Sequence, residues 1–296
     1  MAEEQLIQTK SPPVSRVGIL FNNSVPKAPI LAAAIEEWLV SRVTEINMVS
    51  TDDSPEKLTS AADFDILVVL GGDGTILRAG RLVAPLDVPI FGVNLGRVGF
   101  LSETTPSSWQ EKLSKVLEGN YWIERRLMLR SSVLREGLEI ASMIGLNDVV
   151  VSRAAQVRVV RFQLFVDDDL VISYTADGLI TATPTGSTAY SMAAGGPLLP
   201  PQLRNFLVLP VAPHLSFERP LILYPDAVVK IKVEMEHQAI ATADGQNPVS
   251  LVSGDEVVIR KHECDSLFAR VEGPSYFYHR LMQRLSYWSR KAIVGE

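Results

Sequence analysis

The strongest constraint on the fold is a wholly apolar run at 66–70 that ends directly at the turn Gly71-Gly72-Asp73-Gly74-Thr75. An uninterrupted aliphatic run of strand length is typical of a strand buried on both faces of a parallel sheet. A helical pattern of apolar residues opens at Thr75. The sequence therefore predicts a buried strand, a glycine-rich turn and a helix in direct succession.

The same alternation of strand and helix patterns runs through the first part of the chain. Strand-length apolar runs lie at 17–21 and 89–93, and apolar residues at helical spacing lie at 29–43 and 106–117. This order of elements implies right-handed βαβ units. We therefore predict that residues 1–124 form an α/β domain with an open, mostly parallel sheet.

The pattern changes after residue 124. Apolar and polar residues alternate at 157–167, and further short strand patterns are separated by Gly, Asp and Pro turns. Such spacing predicts a mostly-β second domain, to which we assign residues 125–270. A helical pattern at 277–294 predicts a C-terminal tail, residues 271–296, that packs back on the first domain.

Composition excludes several classes of protein. The 296 residues carry a net charge of -6, which argues against binding along a nucleic-acid duplex. The single cysteine, Cys264, excludes a scaffold held by internal disulfides. No apolar run approaches the ~20 residues of a membrane-spanning helix, and the acidic start lacks the order of a signal peptide. We expect a cytoplasmic protein with neither nucleic-acid nor membrane partners.

The turn at 71–75 is the first candidate site, because ligands of open α/β sheets bind at the carboxyl ends of strands. Glycines let backbone N–H groups approach an anion, and the helix start adds positive potential. Asp73 would repel a phosphate, so its carboxylate suits proton acceptance or metal binding beside the phosphates. The alternative is an ordinary turn in which Asp73 caps the helix.

Two familiar phosphate motifs are absent. No Lys-Ser/Thr pair follows a glycine loop, and Leu77 stands where the dinucleotide fingerprint has its third glycine. The sequence therefore excludes a P-loop ATPase and an ordinary dehydrogenase.

The second candidate site is the segment 177–197, which holds six Ser or Thr residues between Thr181 and Ser191. Hydroxyl groups can both donate and accept hydrogen bonds, and Tyr190 offers a ring on which a base could stack. The alternative is that these hydroxyls serve only the turns of the loop.

Residues 71–75, the pair Asn147-Asp148 and the segment 177–197 together resemble the motifs of NAD kinases, which make NADP from NAD with ATP or, in some members, polyphosphate. Further similar stretches are 94–101, 212–214, 219–220 and 244–246. The resemblance implies an α/β domain, a β-sandwich-like second domain and an active site in the crevice between them. It also implies a homodimer or homotetramer.

The resemblance assigns roles to individual residues. Asp73 would be the general base for the 2′-hydroxyl of the adenosine ribose, while Gly72, Gly74 and Arg78 would bind phosphates. Asn147 and Asp148 would bind the adenosine end of NAD. Thr188, Ala189 and Tyr190 would contact the adenine, with Ser191 and Ala193 beside it. Asp177, Ala212 and Gln246 would line the nicotinamide side. Arg158 would substitute for a basic residue that some family members carry at the position of Thr175.

ATP is expected to arrive with a divalent cation, most simply Mg²⁺, since no protein-ligated metal site is visible in the sequence. Two alternatives remain. A lipid kinase of the same superfamily would need an apolar groove or a basic face to bind its lipid substrate. The acidic composition and the polar 181–191 loop do not supply either. A non-catalytic dinucleotide-binding regulator would gain nothing from Asp73.

Overall fold

The computed structural model describes residues 12–53, 64–96, 99–154, 160–214, 217–234 and 238–284. The chain divides into two compact units, one of residues 1–125 with 266–296 and the other of residues 126–265. The predicted fold class, an α/β part with a mostly parallel sheet and a mostly-β part, is confirmed.

The first unit is built on a six-stranded sheet in the order β2-β1-β3-β4-β18-β5. Its strands are β1 Arg16–Phe21, β2 Glu45–Ser50, β3 Ile66–Gly71, β4 Ile90–Asn94, β5 Trp122–Arg126 and β18 Ser266–Arg270. The pairs β1–β2, β1–β3, β3–β4 and β4–β18 are parallel. Its helices are α1 Lys27–Leu39, α2 Asp73–Val83 and α3 Trp109–Leu117.

Strand β3 lies between β1 and β4 in the interior of this sheet. Every one of its residues is buried, as its apolar run predicts. Helices α1 and α3 bury aliphatic residues such as Ile35 and Leu113 in the same apolar cluster. The glycine-rich turn therefore follows a strand that has neighbours on both sides, at the carboxyl edge of the sheet.

The second unit contains two six-stranded sheets, ordered β10-β9-β14-β17-β6-β7 and β13-β12-β11-β8-β15-β16. The first consists of β6 Leu129–Arg135, β7 Leu138–Gly145, β9 Val160–Val166, β10 Asp169–Ala176, β14 Val229–Glu234 and β17 Glu256–Lys261. The second consists of β8 Asp148–Arg153, β11 Gly178–Ala182, β12 Phe206–Val211, β13 Leu221–Leu223, β15 Ala239–Ala243 and β16 Gln246–Leu251.

Both sheets of the second unit contribute to one apolar core. Phe162 and Ile231 from the first sheet join Val151 and Leu179 from the second in a single buried cluster. Two antiparallel sheets that share a core in this way form a sandwich. Asp167 and Asp168, both with positive φ, form the β9–β10 turn, and Asp169 is the first residue of β10.

Strand β18 lies within the range 125–270 that the sequence assigns to the second domain, yet it pairs with β4 in the sheet of the first unit. All its residues are buried, as for an interior strand of a parallel sheet. Residues 276–284 are helical, and Tyr276 and Phe277 pack against Phe100 and Trp122 of the same unit. The rest of the predicted helix lies outside the described residues.

Candidate active site

The glycine-rich turn joins β3 to α2 with little bulk at its tip. A Cβ atom on Gly71 would lie 2.6 Å from the Thr75 side chain, so packing requires glycine there. Among the described residues, a Cβ atom on Gly72 or Gly74 would meet nothing within 4 Å. Since packing does not require these two glycines, their value is the access they leave to the backbone N–H groups of the turn.

The Asp73 carboxylate is held by a separate segment of the first unit. Phe100 donates its backbone N–H to Oδ2 at 3.0 Å, and Leu101 donates to Oδ1 at 3.4 Å. A Cβ atom on Gly99 would lie 1.8 Å from Oδ1, so the backbone approaches the carboxylate closely. Gly72 is the N-cap residue of α2 and Asp73 is the first residue of the helix, so Asp73 does not occupy the capping position. The capping alternative is therefore wrong, because this side chain binds residues 100 and 101 instead.

Neighbouring strand ends add two polar groups, Asn22 and Asn94, to which the sequence assigned no role. Asn22, which follows β1, donates its side-chain amide to the Thr75 hydroxyl at 3.2 Å. Asn94, the last residue of β4, accepts the backbone N–H of Gly96 on its side-chain oxygen at 3.0 Å. Their position after neighbouring parallel strands is the signal that could have identified them. Arg78 lies on the exposed side of α2.

The second unit contains a pocket of about 410 Å³. It is lined by Asn147, Asp148, Val150, Ser152, Ala189, Tyr190, Thr242, Asp244 and Gly245. Four predicted contacts, Asn147, Asp148, Ala189 and Tyr190, therefore lie together. Tyr190 is 45% exposed as a residue, and it lies in the lining of this pocket.

Asp244 organises the backbone of this pocket. Its carboxylate accepts the N–H groups of Leu146 at 3.0 Å, Asn147 at 2.7 Å and Asp148 at 3.2 Å. Asp244 itself has a positive φ of 51°. The three donors fix the Asn147-Asp148 turn at the start of β8. The sequence marks Asp244 only by resemblance, as the first residue of 244–246.

Asp148 is a buried acid in this pocket, with 4% of the residue exposed. Burial, followed by the negative charge of Asp244, raises its pKa to about 7. Near neutral pH the carboxyl group therefore exists in both protonation states. It can donate a hydrogen bond to a hydroxyl group when protonated and accept one from a hydroxyl group when ionised.

The hydroxyls of the 181–191 loop have mixed partners, and those of Thr181 and Ser191 are buried without a hydrogen-bond partner among the described residues. Thr183 donates to the Leu146 carbonyl at 2.6 Å, and Ser187 donates to the Pro184 carbonyl at 2.7 Å. The loop also packs tightly on the Asn147-Asp148 turn, since a Cβ atom on Gly186 would lie 1.9 Å from the Asn147 carbonyl oxygen. These hydroxyls shape the pocket through the backbone.

The remaining predicted residues lie at several places on the second unit. Asp177 precedes β11 and pairs with Arg153 at 2.8 Å, and it donates its N–H to the carbonyl of Val211, the residue before Ala212. Thr188 donates its hydroxyl to the Thr185 carbonyl at 3.0 Å. Ser191 is buried, Ala193 is exposed, Gln246 is partly exposed at the start of β16, and Arg158 lies outside the described residues.

Asp177 and Ala212 adjoin the Ser152 end of β8, whereas Asn147 and Asp148 lie at its other end. The predicted NAD contacts thus form two groups on one sheet.

Among the described residues, no cluster of three or more His, Cys, Asp or Glu side chains could hold a metal ion. No helix in the described part of the chain has the length and apolar character needed to cross a bilayer.

Comparisons with known proteins identify the family. Residues 51–121 match the model of the ATP-NAD kinase N-terminal domain, and residues 146–271 match that of the ATP-NAD kinase C-terminal domain. The NAD kinase of Heliobacterium modesticaldum is 39% identical over 277 residues, which span 91% of this chain and 98% of that protein. The NAD kinase of Chloroflexus aggregans is 34% identical over 272 residues, or 92% and 99% of the two chains.

Solved structures share the fold. An NAD kinase from Archaeoglobus fulgidus in complex with ATP has a TM-score of 0.72 at 29% identity, covering 90% of this chain and 98% of that one. Yeast NADH kinase complexed with NADH has a TM-score of 0.75 at 24% identity, covering 94% and 89%. By sequence and by fold, the chain belongs to the NAD kinase family.

Proposed function

We propose that this chain is an NAD kinase that transfers the γ-phosphoryl group of ATP to the 2′-hydroxyl of the adenosine ribose of NAD. The observation that carries the proposal is the Asp73 carboxylate, fixed by two backbone N–H groups beside two glycines, Gly72 and Gly74, that no described side chain covers. Family membership and the ATP complex of the archaeal relative support NAD kinase over the lipid-kinase alternative.

Asp73 acts as the general base. A ribose hydroxyl is a poor nucleophile at neutral pH, so a positioned carboxylate that takes its proton lowers the barrier. The ribose oxygen then forms a bond to the γ-phosphorus, the bond from that phosphorus to the β–γ bridging oxygen breaks, and ADP leaves with the bonding electrons. Phosphoryl transfer of this kind depends mainly on alignment and charge neutralisation.

The phosphate chain binds at the turn. The uncovered backbone of Gly72 and Gly74 approaches the phosphates, and Arg78 contributes positive charge from the exposed side of α2. ATP enters as its complex with a divalent cation, most simply Mg²⁺, which neutralises part of its charge. Polyphosphate is a second donor to test, because its repeating phosphates offer the same groups to this turn.

The adenosine part of NAD binds in the pocket of the second unit. The adenine stacks on the exposed face of Tyr190, and Asn147 and Asp148 form hydrogen bonds with hydroxyl and amine groups. The other proposed contacts are Thr188, Ala189, Ser191, Ala193, Asp177, Ala212, Gln246 and Arg158. Family membership is also the support for a homodimer or homotetramer that acts in the cytoplasm.

The decisive experiment measures NADP formation by purified protein, with NAD, NADH and diacylglycerol offered in turn with ATP–Mg²⁺ or polyphosphate. Asp73→Asn should lose at least 100-fold in kcat while calorimetry shows unchanged NAD binding. Phosphorylation of the lipid without NADP formation would establish the lipid-kinase alternative. NAD binding without turnover by the unmodified protein would establish the non-catalytic one.

A further inference from the structure

Four charged side chains form a buried cluster in the first unit, which we call the Arg270 cluster: Arg270, Glu103, Glu124 and Arg280. The Arg270 side chain, in β18, is fully buried, and so are those of both glutamates. Arg270 Nε donates to Glu124 Oε2 at 2.9 Å, and Nη1 donates to Glu103 Oε2 at 3.3 Å. Two buried carboxylates therefore meet one central guanidinium.

Further hydrogen bonds hold both carboxylates of the cluster. Glu124 accepts the Tyr276 hydroxyl at 2.8 Å and 2.9 Å on its two oxygens. Glu103 accepts the backbone N–H groups of Val271 and Glu272, each at 3.1 Å. Arg280 adds a second positive charge, 3.8 Å from Glu103. The cluster thus joins β5, β18, the following helix and the residues after β4.

The same cations also hold the segment that binds Asp73. Arg270 Nη1 donates to the carbonyl oxygens of Leu101 at 3.1 Å and Ser102 at 3.0 Å, and Arg280 donates to the Ser102 carbonyl as well. Leu101 connects the two sites directly, because its N–H donates to Asp73 while its carbonyl accepts from Arg270. A displacement of Leu101 would therefore move a hydrogen-bond donor of the Asp73 carboxylate.

A buried ion cluster of this kind contributes little net stability over well-packed apolar residues, because the charges lose their hydration. The cluster instead holds its segments in one defined arrangement, because a buried charge that lost its partners would be costly. A carboxylate acting on a reacting hydroxyl needs such definition, because a displacement of ~1 Å can cost ~100-fold in rate.

We propose that Arg270 is a positioning residue for phosphoryl transfer, which acts through the backbone of Leu101 to fix the Asp73 carboxylate. This inference rests on the proposed role of Asp73 as the base. Arg270 itself contacts neither substrate. Its loss should therefore lower kcat and leave NAD affinity unchanged, because all the residues that line the adenosine pocket belong to the second unit.

The test compares Arg270→Met and Arg270→Lys with the unmodified enzyme. Arg270→Met should lower kcat at least 10-fold with KM for NAD and for ATP within 2-fold. Arg270→Lys, which keeps the charge and one donor, should recover part of that loss. If Arg270→Met does not fold, Arg270→Lys becomes the test. A lowered kcat at unchanged KM would support the proposal, and a kcat equal to that of the unmodified enzyme would overturn it.

Two control variants separate positioning from general destabilisation. Val116→Ala truncates a buried residue of α3 in the same unit, and Arg135→Met removes the ion pair with Asp255 in the second unit. Both should keep kcat within 2-fold even if the melting temperature falls as far as in Arg270→Met. An equal loss of kcat in Val116→Ala would overturn the positioning role.

Asp73→Asn, measured alongside, separates the two proposals. Turnover by Asp73→Asn at the unmodified rate would show that the assignment of the base is wrong. An inactive Asp73→Asn together with folded, fully active Arg270 variants would show that only the positioning role is wrong.

Discussion

Gly99 and Asp73 are in such close contact that no side chain fits between them. A Cβ atom at position 99 would lie 1.8 Å from Oδ1 and 2.2 Å from Cγ of Asp73. The requirement for glycine at this position therefore comes from the carboxylate and not from an unusual backbone conformation. A substitution here is a direct way to move the acid without removing it.

Gly99→Ala should lower kcat about 100-fold, because the carboxylate must move by about 1 Å to admit the methyl group. Steady-state kinetics with NAD and ATP measure the effect. Gly273→Ala is the matched control, since a Cβ atom there would meet nothing within 4 Å, and its kcat should not change. Full activity of Gly99→Ala would contradict the assigned position of the base.

Asp244→Ala should raise KM for NAD at least 10-fold. Its carboxylate accepts three backbone N–H groups of the Asn147-Asp148 turn, and each donor left buried without a partner costs about 1–3 kcal/mol. The melting temperature should fall as well. Asp226→Ala removes an exposed carboxylate that pairs with Lys261, and this control should leave KM unchanged. An unchanged KM in Asp244→Ala would show that the turn does not depend on this acid.

Stability should depend on pH through Asp148. Its pKa in the folded protein, about 7, lies above the 3.8 of an ordinary aspartate, so the folded state holds the proton more tightly than the unfolded chain. The free energy of unfolding therefore falls as the pH rises from about 4 to about 7, by up to about 4 kcal/mol. Above that window the loss is complete and constant.

Asp148→Asn should remove this dependence. Its melting temperature relative to the unmodified protein should rise between pH 5 and about pH 7 and then level off, because the variant cannot acquire the buried charge. Scanning fluorimetry over that range measures the difference. Asp168→Asn, at a side chain that is 93% exposed, should show a constant difference, and the same flat profile in Asp148→Asn would refute the prediction.

Tyr190→Leu should raise KM for NAD about 5- to 100-fold, the range expected when one base loses an aromatic stacking partner. Tyr190→Phe keeps the ring and should stay within 3-fold of the unmodified enzyme. The comparison isolates the ring face from the hydroxyl. Equal losses in both variants would assign the contact to the hydroxyl instead.

Removal of divalent cations should abolish turnover without unfolding the protein. The cation is expected to enter with ATP, and no metal-binding cluster is present among the described residues. Excess EDTA should leave the melting temperature within about 1 °C, whereas loss of a structural metal would lower it sharply. Added Mg²⁺ should restore the full rate.

The buried parallel strands could be predicted from sequence because their apolar runs are short and uninterrupted, as in β3. Strand β2 could not, since half-exposed residues at the edge of the sheet leave no such run. The position of β18 also could not be predicted. Its pairing with β4 depends on residues far apart in the chain, and local pattern carries no signal for that.

The site shows the same division. Asp73 is conspicuous because a carboxylate is unusual in a glycine turn, and Tyr190 because it offers an aromatic ring, whereas Asn147-Asp148 is predicted only through the family resemblance. Leu101 and Asp244 lie in stretches that resemble the family, but the sequence does not indicate that they hold these groups, because Leu101 acts through its backbone and Asp244 acts across about 100 residues of chain. The hydroxyl side chains of the 181–191 segment have mixed roles that sequence alone does not separate: those of Ser187 and Thr188 donate within their own loop, whereas that of Thr183 donates to Leu146.

The position of β18 between β4 and β5 has a consequence for biosynthesis. A ribosome delivers β1 to β4 early, but the strand that joins them to β5 emerges only after the whole sandwich has been translated. The nascent first unit therefore waits with an open sheet edge beside β4, and shortening the gene before codon 266 should leave that edge uncovered and the product prone to aggregation.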